Sequence, residues 1–282
     1  MTSRQQYPPS PAGGAQIRKR EGQTLTGPAH LHNWVPVVYW SSSILLASAM
    51  LAGGLQQLFH TKRLVDLFAH LGYPSYLLYI LGVWQVLGVI AILIPKFSLL
   101  KEWAYAGLFL MYTGAAASHF LVGDSVEISL SPVLFALTTI ASWKLRPASR
   151  KLSTIESGEY STSKAIWYWI TTGLISFVFL FGGVWQLSNA QLLVHQNPPL
   201  GFPAYFWEIL GLCKLLGGIG ILVPRFPLAK EWAYAGIVFN MTGASAARAF
   251  TGASIPHIAA PLVICVVAMV SWKLRPESRS PN

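Results

Sequence analysis

YILGVWQVLGVIAILI, Tyr79 to Ile94, runs without one charged side chain. A helix needs roughly 20 mostly apolar residues to cross a bilayer. FVFLFGGVWQL (Phe177–Leu187) and PLVICVVAMVSW (Pro261–Trp272) read the same way. Of the 282 residues 53% are hydrophobic and 11% charged, against about 25% charged in soluble domains. Mean hydropathy is +0.48. Backbone polar groups in lipid need partners inside their own segment, so these runs must be helices. The chain reads as an all-α integral membrane protein.

A repeat organises it. KEWAYAG occurs at Lys101–Gly107 and again at Lys230–Gly236, 129 residues apart. The same offset carries LGYPSY (71–76) onto LGFPAY (200–205), SWKLRP (142–147) onto SWKLRP (271–276), and Gln57 onto Gln186. This predicts a tandem duplication: a polar, Pro- and Gly-rich basic tail over 1–33 that reads as disordered, repeats over 34–150 and 164–279, and a polar linker over 151–163. Small-residue triplets in the first apolar run imitate a signal-peptidase site. That run is matched by one in mid-chain, so it is expected to stay as a helix.

Spans are expected near 35–58, 76–95, 102–121 and 128–144, then 165–187, 204–223, 231–250 and 257–273, the fourth of each repeat being short. Eight transmembrane helices then form two four-helix bundles. An even count per repeat makes the repeats parallel, related by an axis along the membrane normal. Lys96, Lys101, Lys144, Arg146, Arg150, Lys151, Lys164, Arg225, Lys230, Lys273, Arg275, Arg279 and the basic tail fall on one side, against Lys62 and Arg63 on the other. The positive-inside rule makes both termini cytoplasmic at the cell membrane. The formal charge of +10 is thereby accounted for by topology, with a lipid bilayer and not a nucleic acid as partner.

Within KEWAYAG, Lys101 and Lys230 are expected in the headgroup region and Glu102 and Glu231 in the first helical turn, where the dipole favours a carboxylate. Trp103 and Trp232 suit an interfacial aromatic belt, and Gly107 and Gly236 allow helices to approach. The motif reads as scaffold, with Glu102 and Glu231 as candidates for proton handling or headgroup binding.

Positions where the repeats differ point deeper. Glu208 stands for Tyr79 and Arg248 for His119, at similar depth on a helical hairpin. An ion pair Glu208–Arg248 is expected, with Tyr79–His119 as its neutral counterpart. Lys214 replaces Gln85 and Asn240 replaces Met111. A mid-membrane Lys costs about 2.5–3.5 kcal/mol, so it must face the bundle or snorkel. Lys214 and Asn240 are therefore candidates for lining a polar ligand pocket. His60, Asp66, His70, His119, Asp124 and Glu127 share the outer side of repeat one without ligand spacing, and no metal site is expected. Cys213 and Cys265 form no CxxC, and no P-loop, dinucleotide fingerprint or nucleophile motif is present.

LGYPSYLLYILGVWQVLGVIAILIPKFSLLKEWAYAG, TGAAASHFLVGD and SWKLRP together resemble the DoxX-like membrane proteins, over both repeats. The resemblance matches the family's Lys to Lys214, with Gln85 in repeat one. It matches its Ser-His and Gly-Asp elements to Ser118, His119, Gly123 and Asp124, which become Ala247, Arg248, Gly252 and Ala253 in repeat two. Each repeat lacks part of the family's pattern, which leaves open a single composite site across the two halves. The resemblance implies a four-helix unit, association with a redox enzyme or membrane-stress system, and quinone as a cofactor of that system. Three classes of function remain: a redox-associated subunit, a small transporter or ligand-binding protein with a midplane pocket, and a self-contained enzyme. No catalytic motif supports the last.

Overall fold

A computed structural model describes residues 34–147, 150–151, 161–224 and 226–276. The expected disordered tail, most of the linker, Arg225 and Arg279 lie outside the described residues. Among the described residues there are ten α-helices and no strand: α1 (Trp34–Leu58), α2 (Lys62–His70), α3 (Tyr76–Leu93), α4 (Ser98–Val122) and α5 (Val126–Lys144), then α6 (Thr162–Ser188), α7 (Ala190–Gln196), α8 (Ala204–Leu222), α9 (Pro227–Phe250) and α10 (Ile255–Lys273). Seven of these are long and apolar enough to cross a membrane. The eighth long helix, α9, falls short because Lys230, Glu231, Asn240 and Arg248 dilute its hydropathy. α5 and α10 run 19 residues each, longer than the short fourth spans expected.

Each repeat closes a four-helix bundle: α1 packs on α3 and α5, and α4 on the same two; α6, α8, α9 and α10 repeat the pattern. Glycines set the closest approach. A Cβ on Gly183 would sit 2.8 Å from the Gly211 carbonyl oxygen, and one on Gly211 would sit 2.9 Å from that of Gly183. Gly54 and Gly82 place α1 against α3 similarly. Leu46, Met50, Ile92, Tyr105 and Leu108 fill one core, and Ile175, Phe179, Ile221, Tyr234 and Ile237 the other.

The repeats meet through α4 and α9, flanked by α3 and α8. Equivalent residues are exchanged across this seam. The Tyr76 hydroxyl donates to the Leu200 carbonyl at 2.6 Å, and that of Tyr205, 129 residues on, donates to the Leu71 carbonyl. At the opposite end, the Trp103 indole donates to Glu231 and the Trp232 indole to Glu102. Reciprocal exchange at both ends requires the repeats to be parallel.

Two expectations about KEWAYAG are corrected. α4 and α9 begin at Ser98 and Pro227, so Glu102 and Glu231 lie beyond the first turn. Lys101 and Lys230 are not in a headgroup region but buried, 1% and 0% exposed. Their ammonium groups donate to the last carbonyls of the preceding helices, Ala91 and Ile94 for Lys101, and Gly220, Ile221 and Val223 for Lys230. A helix C-terminus leaves carbonyls unsatisfied and carries negative partial charge, which makes it a partner for a buried cation.

Candidate functional site

Three polar assemblies lie along the seam. At the end where α5 and α10 finish, Glu102 and Glu231 are each 1% exposed. Glu102 Oε1 accepts from the indoles of Trp143 at 2.5 Å and Trp232 at 2.8 Å, and Oε2 accepts from Arg146 at 2.6 Å. Glu231 is held likewise by Trp272 at 3.0 Å, Trp103 at 3.1 Å and Arg275 at 2.5 Å. The guanidiniums also lie over rings, Arg146 at 5.0 Å from Tyr105 and Arg275 at 5.2 Å from Tyr234. Trp103 and Trp232 are thus glutamate ligands between the repeats. With three donors on each carboxylate, this assembly is built to join helices.

At the other end of α4, about 30 Å away at 1.5 Å per residue, Gly123 adopts φ 87° and turns the chain so that the Asp124 amide donates to the His119 carbonyl. An L side chain rarely tolerates that φ. The turn brings Asp124 Oδ2 to 2.6 Å from His119 Nδ1, while Oδ1 lies 2.7 Å from His70 Nε2. These two bonds, that of His119 first, hold the Asp124 carboxyl below the usual carboxylate range. A depressed folded pKa contributes stability above the unfolded value of about 3.9, lost as pH falls through the folded value. Asp124→Asn should flatten the fall in unfolding midpoint between pH 5 and about 3; an unchanged acid limb would refute this role. Among the described residues no group of three His, Cys, Asp or Glu is arranged to hold a metal.

Between these ends the seam holds an open-sided cavity of about 1270 Å³. Its walls are mostly apolar, including Trp84, Trp103, Phe206, Trp232 and Phe239. Gln85, Lys214, Asn240 and Arg248 are its polar lining, together with Gln186. Gln85 donates to the Met111 sulfur at 2.9 Å. Lys214 Nζ stands 6.0 Å from the Phe179 ring centroid and 3.8 Å from where a Cβ on Gly182 would be. Buried oxygens of Gln85, Gln186 and Asn240 have no hydrogen-bond partner among the described residues. The structure therefore brings Gln85, Lys214 and Asn240 to one cavity, while Glu102 and Glu231 lie at one end and His119 and Asp124 at the other.

The expected Glu208–Arg248 pair does not form. Glu208 is exposed, and Arg248 donates to the His257 carbonyl at 3.2 Å. Equal depth on a hairpin does not mean equal azimuth: at about 100° per residue, Glu208 is rotated by about 240° from Lys214, off the face turned to the seam. Pro261, four residues after His257 in α10, has no N–H to offer that carbonyl, and Arg248 supplies the donor. The neutral counterpart fails too, since Tyr79 lies on His60 and Phe250 while His119 holds Asp124. Glu208→Gln should change stability by less than about 0.5 kcal/mol; a larger loss in denaturant unfolding would restore the pair.

In the sequence Arg146 and Arg275 read only as topology charges, Trp143 and Trp272 only as part of the repeated SWKLRP, and His70 only as one of the scattered outer-side groups. A signal existed: Trp and Arg of SWKLRP follow Glu of KEWAYAG at identical spacings in both repeats. Comparison with known proteins gives a match to the family model described as DoxX-like, twice, over residues 41–142 and 170–271. No curated protein and no solved structure matches.

Proposed function

Because the chain belongs to the DoxX-like family, we propose that it is a multi-pass membrane subunit that holds a membrane-soluble, polar-headed molecule between its two repeats. The cavity carries this reading: its walls are aromatic and aliphatic, and its few polar groups leave hydrogen-bonding capacity unused. Ligand sites typically have this composition.

We count α9 as the eighth span. It packs on α4, α8 and α10, so its polar residues have neighbours other than lipid. The excess of Lys and Arg at the linker end supports cytoplasmic termini in the cell membrane. The resemblance adds a quinone as one molecule of the right kind and a redox or stress enzyme as partner. With no dithiol or nucleophile motif in the sequence, a redox role would be exercised through that partner. Transport is the alternative, favoured by the same midplane polar groups in a parallel-repeat fold.

Purification with endogenous lipid, followed by mass spectrometry and an absorption spectrum, tests the reading. A stoichiometric amphiphile is expected, and a quinone spectrum would place it in the redox class. Substrate-dependent uptake by liposomes would favour transport. A chain that retains nothing would overturn the proposal.

A further inference from the structure

The duplication is asymmetric where the cavity is polar. Lys214, Asn240 and Arg248 of repeat two stand where repeat one has Gln85, Met111 and His119. Two cations thus line the cavity, both supplied by repeat two. No Asp or Glu is among the lining residues. Lys214 Nζ makes no hydrogen bond among the described residues, and Arg248 gives one to a backbone carbonyl. A half-buried cation in an apolar surround is costly until an anion meets it.

We propose that the cavity takes an anionic phospholipid, its phosphate held between Lys214 and Arg248. This rests on the reading of the cavity as a ligand site and narrows the ligand's class. Charge complementarity selects an anion, and Arg with Lys is a pairing suited to phosphate oxygens. Depth agrees. Lys214 lies in the middle of α8, but its Nζ reaches Gly182 of α6, about 9 Å at 1.5 Å per residue from that helix's end. Arg248 is two residues from the end of α9, on the same side of the bundle. The phosphate therefore sits toward the membrane surface while acyl chains run into the cavity. Its volume of about 1270 Å³ exceeds the roughly 300–1,000 Å³ of small-molecule sites. Asn240 lies deeper, where its side-chain amide N–H can donate to a glycerol ester oxygen.

The test uses the full chain in neutral detergent, titrated with dioleoylphosphatidylglycerol, dioleoylphosphatidylcholine, a short-chain ubiquinone and water-soluble glycerol 3-phosphate. Bound lipid is counted by native mass spectrometry. Phosphatidylglycerol should bind about tenfold tighter than phosphatidylcholine, and glycerol 3-phosphate should not compete at matched concentration. Lys214→Gln and Arg248→His, which install the residues of repeat one, should each reduce that preference to about twofold or less. Equal binding of the two lipids, tighter binding of the quinone, or a preference that survives both substitutions would overturn the anionic assignment and leave the cavity reading intact. Competition by glycerol 3-phosphate would assign a free phosphate ester in place of a lipid. If nothing binds, the cavity reading itself fails. The wild-type comparison decides the matter even if a variant does not fold.

Discussion

Arg146→Met should cost about 3–5 kcal/mol in denaturant unfolding of the detergent-solubilised chain, because it strands a buried carboxylate. Glu102 and Arg146 side chains are 1% and 3% exposed, their atoms 2.6 Å apart. The guanidinium cannot be replaced by water at that depth without rearranging Trp143 and Trp232, which hold the other carboxylate oxygen. The double variant Glu102→Gln/Arg146→Met should recover a large part of the loss, since a neutral amide still accepts from both indoles. A double variant no more stable than the single one would show that the loss comes from packing against Tyr105 and not from charge. Trp232 belongs to the other repeat, so the single substitution should also loosen the seam. Proteolysis in the 151–163 linker, followed by gel filtration, would read that as separation of halves that otherwise stay together.

Gly183→Ala and Gly173→Ala should have opposite signs, though both replace a glycine in α6. At Gly173 an added Cβ meets nothing within 4 Å, and removing helix-interior glycine gains about 0.5–1 kcal/mol. At Gly183 the Cβ would lie 2.8 Å from the Gly211 carbonyl oxygen and 2.9 Å from Leu215. Backbone cannot swing aside, so α6 and α8 must separate, at about 1–3 kcal/mol and more for Gly183→Leu. Unfolding midpoints of the two variants under one detergent condition check this. Equal shifts would mean that α6 and α8 do not touch as closely as their carbonyl oxygens indicate.

Much of the architecture was legible because the signals were one-dimensional. Charge-free runs exceed what a soluble core uses, and a fixed offset of 129 residues is visible by comparison of letters alone. Depth was legible too: the positions that put Lys214 near Asn240 also put Glu208 near Arg248, and the first pair does share a cavity. Azimuth was not. Glu208 and Lys214 are six residues apart on one helix, and hydropathy varies too little around a membrane helix to say which face meets protein and which meets lipid. The burial of Lys101 and Lys230 was missed for a related reason. The carbonyls that satisfy them belong to helices ending before the motif begins, and they carry no sequence signature.

The sequence by itself determined that the chain is helical, membrane-embedded and duplicated, because composition and repetition are properties of the string. Only the tertiary structure decided that the two KEWAYAG motifs trade tryptophans, Trp103 to Glu231 and Trp232 to Glu102. A hydrogen bond between repeats depends on the rotation of one bundle against the other. That rotation is fixed by packing along α4 and α9, where Phe239 lies against Gly107 and Leu110 against Gly236.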